Sequence, residues 1–184
     1  LNVICLDDGS AGKIENIAEH LDKSNFEYFE CDIVDYDRLK TKFKGVDIVF
    51  HNAASKKNIC LDDPRRDLDV NSKGVINLLE AIRRFNSNVK FVHLGTSTQL
   101  GKLHYQPSDE NHPEFPRDIY SANKSVSEKY VLIYCQAHNI RGTVVRLSNV
   151  FGPRASIHSP EFTFNNYFIG LALQDKAITV FGDG

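Results

Sequence analysis

Tyr120-Ser121-Ala122-Asn123-Lys124, with Thr96-Ser97-Thr98 upstream of it, supplies the parts for moving a proton and a hydride. A Tyr four residues before a Lys stands one helical turn from it, so the two side chains share a face. A free tyrosine titrates near ~10, and to act as a base at neutral pH it must come down by roughly 3 units, about 4 kcal/mol of differential interaction. The Lys124 cation one turn away is expected to supply part of that. A hydroxyl such as that of Thr96 can hydrogen-bond the same substrate oxygen and hold it in line for proton transfer. In a chain with seven tyrosines such a pair also arises by coincidence, so its meaning rests on the elements around it.

Those elements alternate short apolar runs with helical patterns, the signature of an α/β fold with a doubly wound parallel sheet. Leu1 to Leu6, Phe26 to Asp32, Asp47 to Asn52 and Lys90 to Leu94 read as strands, the third with a continuous buried run Ile48-Val49-Phe50. Val75, Leu78, Leu79 and Ile82 fall at helical spacing and predict an amphipathic helix through Asn71 to Arg84. After a Gly101 to Ile119 loop, a long helix is expected from about Tyr120 to His138, with Val126, Tyr130, Ile133 and Ala137 on its apolar face. The reacting pair therefore opens that helix. Thr143 to Leu147 reads as a strand, Asn165 to Gln174 as a helix and Ile178 to Phe181 as a final short strand.

Composition narrows the function. With 22 basic and 24 acidic residues and no basic run, the chain offers no footprint for nucleic acid or a membrane surface. Cys5, Cys31, Cys60 and Cys135 are far apart and mostly in apolar segments, which predicts reduced thiols and a reducing compartment. No stretch approaches the ~20 apolar residues of a membrane span, so the expected location is cytoplasmic. The seven histidines show no metal-ligand spacing, and no metal site is expected. His51 sits at a strand end, and His93 alternates along a buried strand.

Taken in order, these motifs resemble those of the extended short-chain dehydrogenase/reductase superfamily, in its NAD-dependent nucleotide-sugar epimerase/dehydratase branch. The likeness runs through Cys5-Leu6-Asp7-Asp8, Cys31-Asp32-Ile33, His51-Asn52-Ala53-Ala54 and Asn71. It continues through Thr96 to Gly101, Tyr120 to Lys124, Arg146 to Pro153 and Ile178 to Gly184. It implies a Rossmann-type domain over residues 1–184, with the start of a substrate-binding region from about Pro153. The chain departs from the family by lacking the first strand and the G-x-x-G-x-x-G turn that cradles a dinucleotide pyrophosphate. Gly9-Ser10-Ala11-Gly12-Lys13 follows what reads as the second strand and matches neither that turn nor a P-loop. It reads as the loop beside the adenosine ribose. The first strand is central in this fold, so a chain without it has a gap in its sheet. An excerpt whose beginning is missing is the simplest reading, a degenerate member the other, and the residues before Leu1 are expected to carry the turn.

The resemblance implies roles residue by residue. Asp7, with Asp8 beside it, would accept hydrogen bonds from the ribose hydroxyls and repel a 2′-phosphate, favouring NAD over NADP. Asp32 and Ile33 would approach the adenine. Asn52, Ala53 and Ala54 would let the cofactor lie close to the backbone, and Lys56 would reach a cofactor oxygen. Asn71 would organise the cofactor side, or is a plain helix-start residue. Ser148 and Asn149 match the nicotinamide-side and substrate-side positions. Arg154 would meet a diphosphate, or is a solvent-exposed residue after Gly-Pro.

The activity implied is 4-epimerisation of a nucleotide sugar, in which ionised Tyr120 takes the 4-hydroxyl proton as hydride leaves C4 and Lys124 holds the nicotinamide ribose and steadies the phenolate. Dehydratases of the family place an Asp-Glu pair after the Thr, and the decarboxylases a Glu two places after it, whereas this chain has Ser97 and Thr98. Lacking that acid or base, it is expected to epimerise rather than eliminate. A 4,6-dehydratase, a 4-ketoreductase, a sugar dehydrogenase and a non-catalytic dinucleotide-binding relative are the alternatives. A homodimer is implied, through the Tyr-bearing helix and its neighbour.

Overall fold

The apolar run at the start of the chain forms β1, Val3–Asp7, and the aromatic-rich run Phe26–Glu30 forms β2 parallel to it. Val3 pairs with Phe26 and Asp7 with Glu30, so the two strands end together and deliver Asp7 and the residues after Glu30 to one sheet edge. The computed structural model describes residues 1–55, 57–160, 163–180 and 182. A one-turn helix α1, Ala18–Leu21, precedes β2, and α2, Tyr36–Leu39, follows it. Next come β3, Ile48–His51, and two short helices, α3, Lys57–Asp62, and α4, Pro64–Leu68. Asp63 starts α4 by accepting from the backbone N–H groups of Arg65 and Arg66, with Pro64 at the first helical position, where its missing N–H costs nothing.

Helical backbone does not stop at Leu68. It widens into a π turn at Asp69–Lys73 and resumes as α5, Gly74–Phe85. The expected inward face is present, since Val75, Leu78, Leu79 and Ile82 are all buried. They join Phe91, Val131 and Ile140 in the core. Gly74 allows close packing here, because a Cβ on it would stand 2.6 Å from Ile33 Cδ1.

A second sheet runs in the order β3-β4-β5, with β4 at Lys90–Thr96 and β5 at Arg141–Leu147. β3 and β4 are parallel, Ile48 opposite Lys90 and His51 opposite His93. α6, Ile119–His138, packs against β4, α4, α5 and the π turn. It is capped by the Asp118 side chain and closed by Asn139 in the left-handed conformation. The chain forms two compact units, residues 1–146 and 147–184. The second contains α7, Phe164–Leu173.

The strands thus form two sheets, β1-β2 and β3-β4-β5. Among the described residues β1 and β3 each pair on one side only, and in a doubly wound order these are the strands that flank the central first one. This bears on three expectations. Ile48 and Phe50 are 46% and 65% exposed, against the expected buried run. Residues two apart share a strand face, and only the face carrying Val49 and His51 is covered. On α6 the expected face is also reversed, since Val126 and Ile133 are exposed while Ser121, Lys124, Ser127, Glu128 and Val131 are buried. The side turned to β4 carries the polar groups of a site, which displaces the apolar stripe outward. Finally, residues 178–180 form no strand, and Phe181 lies outside the described residues.

Gly101 ends the turn that follows β4 with φ 64° and ψ −130°, a region closed to side chains, and a Cβ there would fall 2.0 Å from the Phe115 carbonyl oxygen. Gly101→Ala should therefore cost at least about 2 kcal/mol. In a domain of this size that lowers the Tm by roughly 4–8 °C, measurable by differential scanning calorimetry.

Candidate active site

Thr96 is the last residue of β4 and caps the short turn Ser97–Leu100, its Oγ1 accepting from the Thr98 backbone N–H at 3.3 Å. The Thr98 hydroxyl lies 3.1 Å from Thr96 Oγ1 and 2.8 Å from Ser121 Oγ. These contacts join the strand end to the first turn of α6. Asp118 fixes that turn by accepting from the Ser121 N–H at 2.7 Å. Tyr120 follows two residues after the cap, near enough to Thr96 for that hydroxyl to act on its phenol. The three expected catalytic residues Thr96, Tyr120 and Lys124 are thereby gathered at one strand end.

Their electrostatics differ from expectation. Lys124 is 3% exposed, and its Nζ donates to the Leu94 carbonyl at 2.6 Å. Burial pulls its ammonium down to about 8, and the Asp67 carboxylate opposes that fall. Tyr120 is not lowered. Burial raises its phenol above the ordinary value, Asp67 adds to the rise, the Thr96 hydrogen bond lowers it, and Asp118 raises it again. Burial of the ring is the largest cause and two carboxylates add to it, while the lysine is engaged with the β4 backbone.

Asp67 was not singled out in the sequence. It is fully buried at the end of α4, accepting from Asn71 Nδ2 at 2.9 Å and from Asn123 Nδ2 at 2.7 Å. Asn71, carried by the π turn, also accepts the Ser55 N–H on Oδ1 at 3.0 Å. Asn71 is therefore an organiser of the loop after β3 and not a plain helix-start residue. The missed signal was spacing: Asp67 lies four residues before Asn71, one turn along the same helix face.

Two histidines lie beside this network. Ser127 Oγ gives its proton to the Lys124 carbonyl at 2.8 Å, so His93 Nε2 must be the donor across the 3.3 Å to that hydroxyl. His93 Nδ1 then accepts from His51 Nδ1, 2.8 Å away, which leaves His51 Nε2 buried without a partner. Burial holds both rings neutral, His93 at about 3 and His51 well below its usual value, with Lys124 adding to each.

The cofactor-side candidates meet in a separate cleft of about 280 Å³ at the ends of β1, β2 and β3. Asp7, Asp8, Asp32, Ile33, Asn52, Ala53 and Ala54 all line it. Asp7 Oδ1 accepts from Gly9 N–H at 2.8 Å, and Arg66 reaches across the cleft to Asp8 at 3.1 Å and Asp32 at 2.9 Å. The Ser55 hydroxyl, also in the lining, is buried without a partner. Strand-end carboxylates, two alanines and an unpaired hydroxyl fit the adenosine half of a dinucleotide. Lys56 lies outside the described residues. Ser148, Asn149 and Arg154 belong to the second unit, where Ser148 and Asn149 are exposed and Arg154 takes a positive φ of 68°.

Compared with known families, residues 1–184 match over their whole length the one described as "NAD dependent epimerase/dehydratase family". The chain belongs to it. Within the epimerase/dehydratase family it is 32% identical over 188 residues to the UDP-glucose 4-epimerase of Mycolicibacterium smegmatis, covering 99% of this chain and 58% of that protein. It is 28% identical over 189 residues to UDP-glucuronic acid decarboxylase 4 of Arabidopsis thaliana, covering 100% of this chain and 41% of that protein. The crystal structure of UDP-glucose 4-epimerase from Thermotoga maritima with UDP-glucose superposes with a TM-score of 0.89 at 28% identity, covering 100% of this chain and 59% of that one. The chain thus spans less than two thirds of the length of these relatives. NAD is the cofactor of the family, and the cleft residues fit it.

The helix that bears Tyr120 is fastened at its middle. Arg146 of β5 grips the buried Glu128 carboxylate with two hydrogen bonds, of 2.9 and 2.7 Å, and Gln99 donates to it at 2.7 Å. Burial pushes the Glu128 carboxyl up, but the Arg146 and Gln99 hydrogen bonds outweigh it and hold the group below its usual range. Its contribution is therefore present above the unfolded value near ~4.3 and lost as pH falls through the lower folded value. Glu128→Gln should cost roughly 2–3 kcal/mol at pH 7. In thermal melts the gap between variant and wild type should narrow as the pH is taken below about 4.

Proposed function

We propose that the protein carrying this chain is an NAD-dependent nucleotide-sugar 4-epimerase acting through a transient 4-keto sugar, on a substrate of the UDP-glucose/UDP-galactose type. The observation that carries the reading is the reacting corner itself. Tyr120 lies beside Thr96, whose hydroxyl acts on the phenol, while the positions after Thr96 hold Ser97 and Thr98. The Thr98 hydroxyl is already tied to Thr96 and Ser121. The buried carboxylate nearby, Asp67, has both oxygens occupied by amides. Proton transfer at one hydroxyl is thus equipped, and elimination, which needs a free acid or base for a second proton, is not. The names of the relatives above support the same substrate class.

In this reading Thr96 orients the sugar 4-hydroxyl and Tyr120 takes its proton, returning it when the hydroxyl is remade. Lys124, one turn along, holds the cofactor ribose and the phenolate charge. Asp7, Asp8, Asp32, Ile33, Asn52, Ala53, Ala54, Lys56 and Asn71 hold the rest of the cofactor, with Ser148 on the nicotinamide side. Asn149 and Arg154 face the substrate. When bound, NAD supplies the hydride acceptor for C4 and the donor that restores it. Residues 1–184 form the cofactor domain, with the substrate region beginning at Pro153.

The 4-epimerase reading requires that the hydride return to its own carbon. Full-length protein should interconvert 4-epimeric nucleotide sugars with no net NADH and no loss of water or carbon dioxide. Deuterium at C4 should stay at C4, and none should enter the ring from heavy water, as read by NMR and mass spectrometry. Tyr120→Phe should abolish turnover with NAD affinity within a few fold. A 4-keto-6-deoxy product would make the protein a dehydratase, release of carbon dioxide from a UDP-sugar acid a decarboxylase, and stoichiometric NADH a dehydrogenase.

The same protein is read as a homodimer. Val126, Leu132 and Ile133 stand 39%, 51% and 57% exposed on α6, an apolar stripe turned away from the sheet. Ile133→Glu should convert dimer to monomer in sedimentation velocity; an unchanged dimer would place the interface elsewhere.

A further inference from the structure

Asp67 stands apart from the other groups of the site because it is a fully buried carboxylate whose partners lead in two directions. Through Asn71 it reaches the Ser55 backbone at the cofactor cleft. Through Asn123 it reaches α6 between Tyr120 and Lys124. The Cys60 thiol of α3, also buried, feels the same carboxylate. A carboxylate removed from water is costly unless its lone pairs are filled, so this group has one comfortable position, with all its donors in place. We propose that Asp67 is a positioning residue of the reacting pair, the fixed negative charge that locks the first turn of α6 to the cofactor-side loop. This rests on the reading of Tyr120 and Lys124 as the reacting groups.

Other charges around that turn do not act on both reacting groups, although Asp118 adds to the rise of the phenol. Asp118 is committed to capping α6, His51 of β3 and His93 of β4 are held neutral, and Glu128 is spent on Arg146 and Gln99. The charged residues of the π turn and of α5 pair among themselves, Asp69 with Lys73 and Glu80 with Arg83 and Arg84. Asp67 is accordingly the charge that acts on both reacting groups, pushing the Tyr120 phenol up and supporting the Lys124 ammonium against its burial.

The test is Asp67→Asn in the full-length protein, which keeps the shape and removes the charge. Phenol ionisation is followed by ultraviolet difference absorbance, with Tyr120→Phe in each background as the blank that isolates Tyr120. Without the charge, the Tyr120 midpoint should move to lower pH. In turnover, both limbs of the pH–kcat/KM profile should move down together, and kcat should fall by at least tenfold. Asn123→Ala, which unties α6 but leaves the carboxylate, should lower kcat while leaving the phenol midpoint within error; it also serves if Asp67→Asn does not fold. An unmoved Tyr120 midpoint in Asp67→Asn, or undiminished kcat in Asn123→Ala, overturns the proposal. The phenol titration needs no substrate, so a protein inactive on every nucleotide sugar would defeat the epimerase reading without deciding the role of Asp67.

Discussion

A carboxylate without access to water is tolerated only when nearly every lone pair is met by a donor, and that demand at Asp67 organises the site. Two asparagine amides must converge on it from two elements, the π turn and α6. Asn71 can do so while also holding Ser55 because the backbone widens into a π turn at Asp69–Lys73, the kind of local irregularity that helices carry at functional sites. Asn123 can do so because α6 presents it to α4. The π turn and the buried Asn123 of α6 both supply donors to that one charge.

That same demand explains what could be read from the sequence and what could not. The strands and the α5 face were legible because burying apolar area leaves a periodic trace, and Val75, Leu78, Leu79 and Ile82 are such a trace. Thr96, Tyr120 and Lys124 were legible as chemistry, and the strand-end motifs at Asp7, Asp32 and Asn52 to Ala54 do converge on one cleft. The inward face of α6 was not legible, since Ser121, Lys124 and Ser127 follow no apolar period and are buried for their hydrogen bonds. Nor was Asp67, an acidic residue in a charged stretch that by type alone belongs on the surface. The direction of the Tyr120 shift failed for the same reason: it depends first on the burial of the ring and then on a carboxylate distant in sequence, while the lysine amine is engaged with the Leu94 carbonyl.

The histidine pair shows a related economy. A parallel register places His51 opposite His93, and in that position the two rings stack at a centroid distance of 5.0 Å and share one hydrogen bond as neutral groups. Protonating either would set a second cation beside Lys124 in a place with no water to absorb it. The pair fills space beneath the reacting turn while adding no charge to it.

Arg66 and Asp67 are neighbours in α4, yet they serve opposite ends of the site, one bridging Asp8 and Asp32 and the other holding Asn71 and Asn123. Successive helical residues point about 100° apart, which is how one short helix reaches both. A single residue gained or lost between Pro64 and Gly74 would swing the downstream side chains by that angle, and the π turn is already one residue wider than an ordinary turn. Substitutions can drift in such a segment, but its length cannot change one step at a time. In a lineage of such proteins the spacing from Arg66 to Asn71 should be inherited whole, whatever the loops on either side have done.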